Sequence, residues 1–259
     1  MINDALVFRF PRTPAGAYSL ATETAILRAI HGRVPLPTPM PQFEHLAVDD
    51  ADGASFVGYP WLPGQPLRRT LLHRLDNATQ RHLASQLGGF LYALHTIPRE
   101  VLPSGLHVQD GRERWRDFYD RVRATLFGSM RPAARHEVEQ HFAAYLSDTN
   151  QEFAFRPVLR HGDFGPTNIL YDPSARGVSG IIDFGSAGLG DPATDVAGLL
   201  GPLSYGAAFV DLLAPAYPGL AALLGRARFY AGTFALQEAL WGVEHHDPAA
   251  VRRGLRPYR

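Results

Sequence analysis

Apolar and polar positions follow two periods along this chain, with short strand-like runs at the front and in one central segment and helical stripes elsewhere. Ala5–Phe10 is a β-rich run stopped by Pro11, which predicts a strand with Arg9 between aromatic neighbours. From Ser19 to Ile30 the spacing of Leu20, Glu23, Leu27 and Ile30 predicts a helix stopped by Gly32, with Glu23 on or beside the apolar stripe. A buried carboxylate wants a cationic partner, and Arg9 is the nearest candidate. Val34–Pro41 alternates proline with other residues and predicts an extended connector. Phe43–Ala47 and Ser55–Tyr59 read as two strands joined by the acidic turn Asp49–Gly53, whose ligand spacing is incomplete for a calcium loop.

Beyond Leu67 the pattern turns helical. Leu83, Leu87, Phe90, Leu91 and Leu94 form an apolar stripe ending at His95, read as a helix-end residue with no chemical role. Trp115, Phe118, Val122 and Leu126 mark a second helix, and Val138, Phe142, Tyr145 and Leu146 a third. Prolines and glycines cluster at Gly58–Gly64, between the strand-rich front and the helical remainder. The chain therefore divides into residues 1–64, a small lobe of strand, helix, two strands and hinge, and residues 65–259, a mainly helical lobe.

The helical part is interrupted at 159–185. Two apolar runs, Asn168–Tyr171 and Val178–Ile182, flank the turn-rich stretch Asp172–Gly177 and predict a hairpin. A hairpin brings Asn168 and Asp183 together, with Asp163 reaching in from the preceding loop. Oxygen-only ligands of this kind suit magnesium, which keeps substrate phosphates among its ligands. One carboxylate to accept a hydroxyl proton, with an amide and a second carboxylate to hold metal on a nucleotide, is the equipment of phosphoryl transfer. His161-Gly162-Asp163 and Asp183-Phe184-Gly185 are each also ordinary turn vocabulary. The ordered set of Asp163, Asn168 and a strand pair closing on Asp183 is far more specific. After Gly185, Asp191 and Pro192 predict the N-cap and first position of another helix, with Asp195 in its first turn.

Composition narrows the classes. The 259 residues are 46% hydrophobic, enough for a sizeable core, and 25 basic residues balance 25 acidic ones, so no electrostatic footprint for nucleic acid or an anionic membrane is present. The absence of cysteine excludes disulfides and thiolate chemistry and agrees with a reducing compartment. With no signal-like N-terminus and no apolar run of membrane-spanning length, the expectation is a soluble cytoplasmic protein.

From Phe8–Pro11 through Gly180–Gly185 the chain resembles the aminoglycoside phosphotransferase and choline kinase family, and is most similar to its aminoglycoside 2''-phosphotransferase branch. The resemblance implies an α+β, protein-kinase-like two-lobed fold and a small-molecule kinase using ATP or GTP with Mg2+, with a hydroxylated small molecule, such as an aminoglycoside, as acceptor. It makes Asp163 the catalytic base and Asn168 and Asp183 the magnesium ligands. Arg9 and Glu23 take the places of the strand lysine and helix glutamate at the nucleotide phosphates. His161 orients the catalytic loop and Asp195 braces it. Protein kinases place arginine where Gly162 stands and a lysine where Gly165 stands, a departure that favours a small-molecule acceptor.

By position in this fold the Pro60 carbonyl and the Leu62 amide meet adenine, and Tyr59 or Trp61 either flanks the ring or belongs to the core. Aminoglycoside kinases line the acceptor side with carboxylates, and the candidates here are Glu238, Glu244 and Asp247, with Trp241 as a stacking face. The family places two strands and a phosphate-covering loop ahead of the strand that carries Arg9, and eight residues precede Arg9 here. The expectation is a truncated N-terminal lobe, or a chain that begins late. A binding homologue with impaired catalysis, or a kinase of an endogenous metabolite, are the alternatives.

Overall fold

A computed structural model describes residues 5–47, 55–147, 153–201 and 203–259. The acidic turn Asp49–Gly53 lies outside the described residues. The front of the chain builds an antiparallel sheet of β1 (Leu6–Arg9), β2 (Phe43–His45) and β3 (Phe56–Pro60), ordered β1-β3-β2. Register places Arg9 opposite Val57 and Val7 opposite Tyr59. Because side chains alternate across a strand, these four share one face, with Phe8, Phe43 and Phe56 on the other. Phe8 stacks on Phe43 at 6.0 Å and tilts against Phe56 at 5.9 Å.

Helix α1 (Pro14–Ile30) follows β1. The Thr13 hydroxyl accepts from the Gly16 amide at 3.1 Å, satisfying one of the free N–H groups that every helix start exposes. The helix begins earlier than the predicted Ser19, because that cap and Pro14 lie upstream of the apolar stripe. It packs on β3 and on the turn at Phe184–Ser186, so it bridges the front of the chain to the central segment. The proline-rich connector forms neither helix nor strand, and its Pro37 carbonyl accepts from the Ile181 amide at 2.9 Å.

The helical part contains α2 (Arg69–Leu72), preceded by the short β4 (Gln65–Pro66), then α3 (Asn77–His95), α4 (Arg112–Leu126) and α5 (Pro132–Leu146). The Asp76 carboxylate caps α3 by accepting from the Thr79 amide at 2.8 Å. The stripe Leu83, Leu87, Phe90, Leu91 and Leu94 is fully buried, as its periodicity predicts. Strands β5 (Val158–Arg160) and β8 (Gly188–Gly190) pair, and β6 (Ile169–Asp172) pairs with β7 (Gly177–Ile181) as the expected hairpin. Helices α6 (Ala193–Leu200), α7 (Ala207–Asp211), α8 (Leu224–Glu244) and α9 (Pro248–Leu255) complete the chain, with α8 packed on α4, α5, α6 and α9. Helix α6 starts one residue later than predicted, with Pro192 outside it. The cap position falls on Pro192 and not on the predicted Asp191, whose Oδ1 accepts from the Ala193 amide at 2.9 Å from just outside the helix.

Candidate active site

The loop between β5 and β6 carries Asp163. Its side chain is tied down by Asn168, whose Nδ2 donates to both the Asp163 backbone oxygen and Oδ2, each at 2.9 Å. Those bonds leave Oδ1 as the amide atom not engaged with Asp163. Asn168 also accepts at its backbone oxygen from the Ile182 amide at 2.9 Å, so it sits opposite the residue that leads into Asp183. The hairpin thus brings Asp163, Asn168 and Asp183 to one end of the β6/β7 ladder. Burial pushes the Asp163 carboxyl above the ordinary carboxylate range, against the opposing pull of the Asn168 hydrogen bond.

Asp183 has φ of 65°, a left-handed conformation that Asp tolerates better than most residues. Its side chain is half exposed and aims Oδ1 at Arg9, whose Nη1 donates at 3.3 Å. The same Arg9 nitrogen donates to Glu23 Oε1 at 2.6 Å and Oε2 at 2.9 Å. Glu23 is only 4% exposed, which separates this contact from an ordinary surface ion pair. Burial raises the Glu23 carboxyl, Arg9 lowers it and Asp183 raises it again. Gly185 closes the group: a Cβ there would lie 3.4 Å from Asp183 Oδ1, 3.6 Å from Arg9 Nη2 and 3.7 Å from Glu23 Oε2.

Two histidines lie beneath the loop. The buried His161 faces the Ile182 carbonyl with Nε2 at 3.0 Å, and its Nδ1 accepts from the Asp163 amide at 3.2 Å. A carbonyl can only accept and an amide can only donate, so the ring is neutral and protonated on Nε2. Burial holds its pKa below the usual histidine value, with Asp195 opposing. Asp195 accepts from the His161 amide and the Gly162 amide, each at 2.8 Å. His95 ends α3, as the stripe predicts, and its ring also reaches the carboxylate beneath the loop. His95 Nε2 lies 3.0 Å from Asp195 Oδ2, and Nδ1 lies 2.8 Å from the Tyr217 hydroxyl. Burial alone raises the Asp195 carboxyl, but the His95 hydrogen bond and charge bring it below the ordinary value. Asp195 is therefore an acceptor, and the facing His95 nitrogen carries the proton.

Gly198, one turn after Asp195, shows how closely α6 approaches this loop. A Cβ there would collide with the Phe164 carbonyl oxygen. No helical or strand periodicity announces such a contact.

Of the residues expected at the nucleotide, Tyr59 shares the Arg9 face of the sheet beside that guanidinium, and burial pushes its phenol up. Pro60 ends β3 opposite Leu6, and the Trp61 amide donates to the Ala5 carbonyl at 2.7 Å. Leu62 lies over Gly180 of β7, where a Cβ would come within 2.9 Å of its Cδ1. Each carboxylate expected to face an acceptor has a partner of its own. Glu238 receives Arg253 Nε at 2.7 Å, Glu244 pairs with Arg121, and Asp247 caps α9 through the Ala249 and Ala250 amides. Trp241 is 49% exposed and stacks on His245 at 4.4 Å.

Sequence reasoning passed over Arg160, Asp110, Asp191 as an ion-pair partner, and Tyr217. Arg160 was signalled by its place as a charged residue directly after the apolar Val158 and Leu159 and directly before His161. Its partner Asp110 lies 50 residues away, and no local pattern links them.

Comparison with known proteins finds relatives over the whole length of the chain. The chain is 31% identical to viomycin phosphotransferase of Streptomyces vinaceus, over 100% of this chain and 88% of that protein. It superposes with a TM-score of 0.88 at 26% identity on a GDP and kanamycin complex of APH(2")-IIia, covering 98% of this chain and 85% of the other. A GDP complex of wild-type aminoglycoside 2'-phosphotransferase-IIIa gives a TM-score of 0.88 at 26% identity, over 99% of this chain and 85% of the other. These neighbours identify the architecture as the kinase-like, two-lobed α+β fold. A family model described as the phosphotransferase enzyme family matches residues 2–230, and the chain belongs to that family.

Proposed function

We propose that this enzyme transfers the γ-phosphoryl group of ATP or GTP to a hydroxyl of a small polar acceptor, with Asp163 as the base. The observation that carries this reading is the double engagement of Asn168. Its side chain holds the Asp163 carboxylate, and its backbone pairs with Ile182 beside Asp183. An acid raised by burial is better matched to taking a proton near neutral pH than a free carboxylate, and the Asn168 bond keeps it aimed. Asn168 Oδ1 and the Asp183 carboxylate are hard oxygen donors fit for Mg2+, which would neutralise charge on the transferring phosphates. Arg9, oriented by Glu23, would reach the nucleotide phosphates as a fork where lysine is a point charge.

In this reading the lobes divide at residues 64 and 65. The Pro60 carbonyl and the Leu62 amide face adenine or guanine along the hinge, and Tyr59 belongs to the nucleotide side. GDP in the neighbouring complexes supports a nucleoside triphosphate donor. Kanamycin in one of them, and the viomycin named in the curated relative, support an antibiotic-like polyhydroxylated or polyamine acceptor and a role in resistance. Glu238, Trp241 and Glu244 are the acceptor-side candidates, reached once their arginine partners give way. Among the described residues no helix is long and apolar enough to cross a membrane, and the location proposed for the enzyme is the cytoplasm.

A second reading, a nucleotide-binding homologue without turnover, draws on arginine at position 9. Phosphorylation of a panel of aminoglycosides, viomycin and neutral polyols with Mg2+-ATP and Mg2+-GTP separates the two. Product with any acceptor supports the kinase. Tight nucleotide binding without product or hydrolysis supports the alternative.

A further inference from the structure

We infer that Arg160 and Asp110 are positioning residues for the loop that carries Asp163, acting through the first turn of α6. The inference rests on the role proposed above for that loop. Arg160 is the last residue of β5 and only 5% exposed, so its guanidinium needs partners inside the protein. Nε donates to Asp110 Oδ2 at 2.7 Å, Nη2 donates to Gln109 Oε1 at 2.7 Å, and Nη1 reaches the Ser186 carbonyl at 3.4 Å. The Ser186 contact matters because that residue directly follows Asp183-Phe184-Gly185. One side chain therefore touches the strand entering Asp163 and the turn leaving Asp183.

Asp110 extends the connection. Its Oδ2 also accepts from the Asp191 amide at 3.1 Å. The Asp191 carboxylate in turn receives Arg226 Nε at 2.7 Å, the Tyr230 hydroxyl at 3.0 Å and the Ala193 amide that begins α6. The start of α6 is thus held through its backbone by Asp110 and through its side chain by Arg226 and Tyr230. Asp195, in the first turn of that helix, receives the His161 and Gly162 amides. His161 follows Arg160 directly, so the hydrogen bonds form a closed circuit around the entrance to the loop.

Gly162 shows that the circuit is tight. Its φ is 83°, and a Cβ there would collide with both Arg160 Nη1 and the Ser186 carbonyl oxygen. A displaced guanidinium would move Gly162, the neighbour of Asp163. A buried arginine–aspartate pair adds little net stability over apolar residues of the same size. Four such groups at this junction therefore point to geometry as their contribution.

The test is hydrogen exchange across residues 159–166 and 193–200, with Mg2+-GTP and Mg2+-ATP hydrolysis measured alongside. Asp110→Asn should raise exchange in those two segments by about tenfold while α3 keeps its protection, and lower hydrolysis by a similar factor with the nucleotide KM unchanged. Arg160→Lys, which keeps the charge but not the fork, should recover part of the protection. Should Asp110→Asn fail to fold, Gln109→Ala removes a single partner of the guanidinium and should give about a threefold rise in the same segments. Unchanged exchange, or a rise spread evenly over α3 and α8, would overturn the inference. Asp163→Asn separates the two claims. Undiminished turnover in that variant would sink the assignment of the base and leave the exchange result standing.

Discussion

The Arg9 guanidinium donates to the Asp183 carboxylate at 3.3 Å from the nitrogen that also holds Glu23. Strand β1 and the end of the β6/β7 hairpin are thereby joined by one cation between two carboxylates. The arrangement has an energetic side and a functional side, and the two separate on substitution.

Arg9→Ala leaves Glu23 buried without a cation, the costly way to break an ion pair. Removing one partner of a fully buried pair costs about 3–5 kcal/mol, and the partly exposed guanidinium reduces this to about 1–2 kcal/mol. Arg9→Lys restores the charge but not the fork, and should recover part of that loss in a thermal melt. Nucleotide KM should rise by about tenfold in Arg9→Ala. A melt and a KM both unchanged in Arg9→Ala would leave the pair as ornament.

His95 donates to the carboxylate that braces the loop, and Tyr217 meets its other nitrogen. His95→Ala should lower kcat by about tenfold with nucleotide binding nearly unchanged, because the loop and not the nucleotide cleft loses its support. Tyr217→Phe, which deletes one hydroxyl, should show a smaller effect of the same kind. Steady-state kinetics decides the matter: a change confined to KM contradicts the assignment.

Asp163 is held above its ordinary pKa by burial, so the fold disfavours the charge there. A raised carboxyl pKa means the native state binds the proton more tightly than the unfolded chain, and stability falls as pH rises from the unfolded towards the folded pKa. Asp163→Asn removes the charge and keeps a group that can accept from Asn168. The melting temperature at pH 7 should equal or exceed that of the unaltered protein even as activity is lost, the pattern of a site that trades stability for function. A large drop would show that the carboxylate is a structural element.

His161 gives the opposite sign. Its folded pKa lies below the ordinary 6.5, so below about pH 6.5 the unfolded chain takes up a proton that the native ring refuses. Stability from this group is complete above that pH and is lost as pH falls. Denaturant melts between pH 7 and pH 5 should lose stability less steeply in His161→Gln than in the unaltered protein. Identical slopes would contradict a neutral buried ring.

Much of this was legible in the residue pattern because the relevant signals are local. The hairpin that gathers Asp163, Asn168 and Asp183 is written in two apolar runs and a turn, and the α3 stripe in its period. Glu23 on an apolar helix face announced a buried cation partner, and Arg9 is that partner. What escaped was long-range and polar. His95 ends a helix in the ordinary way, and nothing nearby shows that a carboxylate 100 positions later needs its proton. Arg160 and Asp110 meet across 50 positions for the same reason. Glu238 and Glu244 carried the right charge for an acceptor site, but local sequence could not show Arg253 and Arg121 beside them.

Asp163 and Asp183 divide the labour of the proposed site, and one paired measurement tests that division. Binding of GTP and ATP is titrated against Mg2+ for Asp163→Asn and Asp183→Asn, and turnover is recorded for both. Asn suits position 183 because it tolerates the positive φ. Asp163→Asn should lose turnover by at least about a hundredfold with Mg2+-nucleotide affinity within about threefold, while Asp183→Asn should lose turnover together with the magnesium dependence of binding. Retained turnover in Asp163→Asn, or magnesium-dependent binding that survives Asp183→Asn unchanged, would contradict it.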